Sequence, residues 1–356
     1  MGYEMTGDPK NPTLQWLPKE KTWGPNFVQF DLGLYATQSN DSGFVLYMKT
    51  DRRWLNSLGL QWRNEIQFGL SNILATSLYQ PLDVGQVFFV EPKLFYTRAY
   101  ENLYVDQERI ANYRFDDSGG NMDFGINFGT RAQLRLGYLY TNRDVTVDTG
   151  SPALGNVHAT DAGLVSGVIY DTRDTAFNPT RGIVGAIDYM RSETSMGADR
   201  DWERIEAGLG IAVPVRGDIV WLTAAGGTGF NSDLPVDRDF AIGGPGSFPG
   251  LPLNSVRAPE YWTVNGSYLW KLKDIQSIRG QALYAGMRLE TGEIDQWSDS
   301  KGLQPVYGGS VYIAGRTMVG PLTIGLGGTS LNTWTLWIAV GRPVGQGTIL
   351  EKGIFR

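Results

Sequence analysis

The chain has 356 residues; 19% are Asp, Glu, Lys or Arg, 12% are aromatic, 46 are Gly and none is Cys. A formal charge of −6 with no run of Lys or Arg longer than two excludes the basic stripe of a nucleic-acid binder, and the missing thiols and single His158 exclude disulfides, thiolate metal sites and a His cluster for zinc. No apolar run exceeds five residues, far short of the roughly 18 that a membrane-spanning helix needs, yet hydropathy is blind to membrane strands, whose lipid-facing residues alternate with polar ones.

In chain order, residues 1–22 carry prolines and no alternation and read as a linker or the remnant of an upstream periplasmic domain. Alternating segments follow near 24–35, 43–50, 60–69, 72–80, 86–103, 109–129, 132–146, 160–171, 182–192, 202–214, 217–229, 260–271, 280–290, 309–318, 321–329 and 333–341. Trp262, Val264, Gly266, Tyr268 and Trp270 share one face, with Tyr261, Thr263, Asn265, Ser267 and Leu269 on the other. In the same way Ala132, Leu134, Leu136, Tyr138 and Tyr140 oppose Gln133, Arg135, Gly137 and Leu139. One face suits lipid and the other water. Sixteen segments, most 8–13 residues long, fit an even-numbered antiparallel transmembrane β-barrel over residues 23–343, followed by a tail over 344–356. A soluble sandwich or propeller also alternates, but no repeat of about 40 residues is present. Trp23, Trp62, Tyr170, Trp202, Trp270 and Trp334 stand at strand ends, where interfacial girdles lie. Short turns such as 129–131, 216–217 and 319–320 are expected at one rim and long loops such as 148–160 and 231–260 at the other, with His158 solvated in an outer loop.

The stretch 231–260 is too long for an idle connection and is expected to enter the lumen. Gly243, Gly244, Gly246 and Gly250 permit tight turns and close approach to the wall, with Phe248 and Leu251 as anchors. Asp171, Arg173 and Asp174 are candidates for a charged cluster that docks this loop. Closure requires Asn26–Tyr35 to pair with Thr333–Gly341, a seam marked by Phe27, Phe30, Gly33, Trp334, Leu336 and Gly341. Gly33, Gly341 and Pro343 weaken its ends, so it is expected to be the least stable pair and to part sideways.

Tyr170-Asp171-Thr172-Arg173-Asp174 with Asn178-Pro179-Thr180-Arg181-Gly182 resembles the strand end and periplasmic turn of the sixteen-stranded outer-membrane translocase superfamily, which includes the barrel-assembly insertase and the two-partner secretion transporters. Phe240, Gly243-Gly244, Ser247 and Gly250 resemble that superfamily's long sixth outer loop. Residues 18–26, with Arg53–Gly59 and Tyr79–Leu82, are similar to the barrels of patatin-like, type Vd autotransporters. The resemblance implies a translocator in a Gram-negative outer membrane, with a patatin-like lipase passenger encoded upstream. Its partners are then outer-membrane lipid, its own passenger and, during biogenesis, the barrel-assembly machinery, with the oligomeric state left open. No cofactor and no enzymatic activity are expected of this chain: Gly246-Ser247-Phe248-Pro249-Gly250 lacks the G-x-S-x-G spacing of a nucleophile elbow. An insertase, a two-partner transporter and a passive porin remain alternatives. Superfamily members often carry Val-Arg-Gly-Tyr at the loop tip, its Arg paired with an acidic wall residue; here the string is Phe248-Pro249-Gly250-Leu251. Arg288 and Glu290 share the lumen face where that acid would stand, so a different local pairing is expected.

Overall fold

The computed structural model describes residues 2–6, 12–17, 24–38, 42–105, 108–150, 155–176, 179–230, 233–274, 282–295, 303–317, 320–342 and 349. Sixteen antiparallel strands close into one barrel. They are β1 Asn26–Thr37, β2 Ser42–Arg52, β3 Gln61–Gly69, β4 Ser71–Pro81, β5 Phe88–Val105, β6 Glu108–Phe128, β7 Ala132–Thr149 and β8 Val157–Asp171. Then come β9 Gly182–Ser192, β10 Trp202–Val215, β11 Asp218–Thr228, β12 Tyr261–Asp274, β13 Ala282–Asp295, β14 Leu303–Thr317, β15 Gly320–Thr329 and β16 Trp334–Gly341. Gly2–Thr6 pairs with Thr13–Leu17 as a separate hairpin within the stretch read as linker. Trp23, Asn178 and the tail over 344–356, apart from Ile349, lie outside the described residues.

Period two becomes inside and outside. Along β12, Trp262, Val264 and Trp270 are exposed while Tyr261, Thr263, Asn265, Ser267 and Leu269 are buried. Leu34, Phe44, Leu46, Phe68, Leu74, Leu136 and Ile338 lie on the same exposed outer face, and in a bilayer that face takes the acyl chains. Trp62, Tyr170, Trp270 and Trp334 belong to it, but Trp202 does not: it is buried in the lumen, donating its indole N–H to Asp161 Oδ1 at 2.8 Å. Strand parity explains this, because Trp202 falls in line with Glu206 and Gly210 and not with Leu209 and Val213.

The rims differ from the simple short-below, long-above expectation. At the outer rim β3 and β4 are joined through Leu70 alone, whereas at the opposite rim 53–60, 82–87 and 172–181 are longer. β13 and β14 extend above their expected ends because Pro305 and Gly308 stay in register opposite Glu293 and Glu290. His158 lies in β8 and not in a loop; its Nδ1 contacts the Asp144 carboxylate on β7.

The barrel is uneven in height. β5 to β8 run 18, 21, 18 and 15 residues, whereas β3 has nine and β16 eight. The seam is shorter than the sequence suggested: Gly33–Thr37 faces Trp337–Gly341. β16 ends level with Gly33, so Phe27 and Phe30 lie below the paired stretch. Phe27 sits under the Arg53 guanidinium, 4.5 Å from its ring centre, and Phe30 faces outward. Above the seam Trp334 and Leu336 pair with β15, and the Gln38 side chain prolongs the ladder, donating to Trp334 O at 3.0 Å and accepting from Leu336 N at 2.6 Å.

Candidate functional site

The segment after β11 leaves the outer rim and turns back into the lumen, where three groups of contacts hold it. The first is ionic. A 3₁₀ turn, Val236–Arg238, places Asp237 and Arg238 against the tall side of the barrel. Arg238 Nε donates to Asp161 Oδ2 of β8 at 2.9 Å, and Arg200, from the connection between β9 and β10, bridges Asp161 at 3.2 Å and Asp237 at 2.6 and 2.7 Å. Arg143 of β7 donates to the Asp237 carbonyl and grips Asp117 of β6 through two bonds of 2.6 Å. Asp161 is fully buried. Burial pushes the Asp237 carboxyl up, but Arg200, Arg143 and Arg238 outweigh it and hold the group below the usual carboxylate range. Burial and the like charge of Arg143 pull Arg238 down to about 10, so it stays protonated at neutral pH. Such a network is strong only when complete, since removing one member strands a charge in a poorly solvated place.

The second group is apolar. Phe240–Ile242 pairs with Val256–Ala258 as a short hairpin inside the barrel, and Phe240, Ile242, Phe248, Leu251 and Ala258 are buried with Trp202, Tyr261, Ile294 and Val306. The Phe240 ring lies 5.1 Å from that of Tyr261, with the Arg204 guanidinium 4.2 Å from its centre. Gly227 on β11 leaves the space the ring fills, because a Cβ there would meet it at 2.4 Å. Arg257, on the second strand of the hairpin, pairs with Glu101 of β5, and burial brings its guanidinium down to about 10.

The third group holds the tip. Gly243 and Gly244 have φ of 125° and 90°, and Gly244 N donates to Leu251 O at 3.1 Å, closing the turn that carries buried Ser247. Arg288 of β13 donates to Pro245 O at 3.1 Å and to Ser247 O, and its Nε pairs with Glu290 Oε2 at 2.7 Å. Gly250 then packs on the β15 backbone, where an added Cβ would stand 2.6 Å from Gly328 C, and its carbonyl accepts from Thr335 Oγ1 of β16 at 3.3 Å. The loop therefore spans the lumen from the tall wall to the last two strands.

Asp171, Arg173 and Asp174 do not take part in this docking. Asp171 accepts Arg173 Nε and Nη2 at 3.0 and 2.8 Å, and Arg173 also donates to Ala176 O at 3.0 Å. Asp174 accepts Thr180 N at 2.9 Å and Arg181 N at 3.4 Å, so that Pro179, Arg181 and Gly182, with φ 111°, belong to the same closed turn. The reason is distance: Asp171 ends β8 at the lower rim, ten residues, or roughly 33 Å of strand, from Asp161. Burial raises Asp174, but the bonds from Thr180 and Arg181 prevail and hold it below the usual carboxylate range.

The network around Asp161 was missed from the sequence, although a signal existed. Asp161 is flanked on its own strand face by the small residues Ala159 and Gly163, and the loop offers an adjacent acid and base at Asp237 and Arg238. Among the described residues no group of three or more acidic or His side chains is placed to hold a metal ion. The arrangement fills a pore and fastens its filling.

The family model for the Omp85 superfamily domain matches residues 56–307. Among solved structures, the chain is similar to BamA from Haemophilus ducreyi lacking POTRA domains 1–3, with TM-score 0.70 and 12% identity over 96% of this chain and 75% of that one. It is similar also to CdiB from Acinetobacter baumannii (TM-score 0.63, 11% identity, 96% and 65% covered) and CdiB from Escherichia coli (0.59, 12%, 96% and 67%). No curated protein sequence matches.

Proposed function

This chain belongs to the Omp85 superfamily, a Gram-negative outer-membrane barrel, and on that premise we propose that it is the translocator of a patatin-like, type Vd autotransporter. It secretes or displays a lipase passenger encoded upstream and performs no enzymatic step itself. The reading is supported by the combination of a plugged lumen and a short seam: the loop blocks free diffusion, and the five paired residues between β1 and β16 are the easiest place for the wall to part. A parted seam offers strand edges to an incoming polypeptide, which main-chain hydrogen bonds can then template. The compartment supplies no nucleotide, so folding of the passenger outside provides the drive. A second reading, insertase or two-partner transporter, is favoured by the fold likeness to BamA and CdiB. The upstream sequence separates the two, since one patatin domain and one periplasmic module belong to the first only.

The seam is tested by locking it. Ala36 and Ile338 are opposite each other in register, and these 356 residues hold no cysteine, so Ala36→Cys with Ile338→Cys introduces the one disulfide of the barrel. In the full-length protein, oxidation is expected to abolish surface display of the passenger and reduction to restore it. Undiminished display from the oxidised form rejects the seam as the route.

A further inference from the structure

Two turns at the lower rim, 53–60 between β2 and β3 and 82–87 between β4 and β5, lie side by side. Asn56 Nδ2 donates to Gln80 Oε1 at 2.7 Å, and a Cβ on Gly59 would stand 2.8 Å from the Gln86 amide. Both turns hold large apolar side chains outward: Trp54 is 65% exposed, Leu55 40%, Leu82 47% and Val84 89%. The described turns 129–131 and 216–217 at the same rim carry only Gly, Thr and Arg. Among these four described turns the apolar character falls on the two nearest the seam.

Trp54 has φ 59°, a left-handed conformation that bulky residues rarely adopt. Its turn is fixed by Asn56 Oδ1, which accepts Leu58 N at 3.1 Å and Leu60 N at 3.0 Å, and by Leu55 N donating to Leu60 O at 2.9 Å. Gly or Asn would fill this position without strain if only a turn were required. The Trp54 ring lies over Gly59 of its own turn, 3.4 Å from where a Cβ there would stand, while Leu82 continues the outward series Leu74 and Leu78 of β4. Leu82 N bonds Phe88 O at 2.8 Å, and Phe88 is the first outward residue of β5. The patch is therefore continuous with the lipid-facing band and begins where the shorter strands end. Surface of this kind is unfavourable in water, and Trp is preferred at the depth of the lipid head groups.

We propose that the turns 53–60 and 82–87 form an interfacial lipid-binding platform whose occupant is the phospholipid of the periplasmic leaflet. Trp54, Leu55, Leu82 and Val84 rest at the boundary between head groups and acyl chains and extend the membrane contact of the short wall below its strands. This platform stands whether or not a passenger crosses the seam.

The absence of native cysteine makes the test direct. Val84→Cys and Leu82→Cys, each labelled with an environment-sensitive NBD fluorophore, are placed in phosphatidylethanolamine–phosphatidylglycerol vesicles as the full 356-residue chain, with Thr130→Cys as the water-facing reference. Lipids bearing nitroxide in the head group or upper chain are expected to quench positions 82 and 84 several-fold more strongly than position 130. Iodide on both sides of the bilayer is expected to quench them several-fold more weakly. Iodide quenching equal to that at position 130 overturns the proposal. So does shelter from iodide without nitroxide quenching, which would mean that polypeptide covers the turns in place of lipid.

Discussion

The wall from β5 to β8 and the seam between β1 and β16 are built from the same alternating strands, yet they are opposites. The tall wall pairs β5 with β6 from Phe88–Ile126 to Val105–Glu108 and carries the charges that fasten the lumen loop. The seam pairs five residues in register and is prolonged only by single bonds among the described residues, from Arg342 N to Leu32 O at 2.9 Å below and through Gln38 above. Loop contacts follow the same division: side-chain ion pairs hold it at the tall wall, and toward the seam it is held by main-chain carbonyls and one hydroxyl. Rigidity and weakness have been placed on different arcs of one closed sheet, and the loop joins them.

Removing Asp161 should break this contrast most severely. Asp161→Ala removes the carboxylate that Arg200 and Arg238 both bond, a lesion of about 3–5 kcal/mol for a buried network. The loop should detach, and single-channel conductance in planar bilayers should rise from a blocked to an open level; unchanged conductance would show that the apolar hairpin suffices. Acid should act on the same contact more gently. Asp237 is held below the usual carboxylate range, so its contribution is complete above an unfolded pKa of about 3.9 and is lost as pH falls through the lower folded value. Protease cleavage within 233–260 should therefore stay constant from neutral pH down to about 4 and climb only below it. The smallest effect sharpens the other arc: Gln38→Ala removes the side-chain extension of the seam, worth about 0.5–1.5 kcal/mol net. Amide exchange at Leu336 should quicken roughly two- to tenfold while β6 stays protected.

The barrel itself was legible because alternation is local: Tyr261 to Trp270 declares its two faces without reference to any neighbour. The same rule applied to β10 places Trp202 inside, and reading it as a girdle residue gave position at a strand end more weight than parity. Strand ends were harder. Pro305 and Gly308 look like breakers, yet Gly308 is what leaves room for the Glu290 carboxylate, whose Oε1 would lie 2.6 Å from a Cβ there. The docking network was illegible for a different reason. Asp161 and Arg238 are 77 positions apart, and only the return of the loop brings them together. The Asp171 turn carried the specific motif, but its groups are consumed in closing that turn.

Arg288 grips the loop by the carbonyl oxygens of Pro245 and Ser247. Every amino acid carries such an oxygen, so the side chains at those two positions are released from the duty of recognition and are free to drift in evolution while the clasp persists. A plug fastened by its peptide skeleton leaves little trace in a consensus, and barrels that have lost the signature of their inner loop can still be corked.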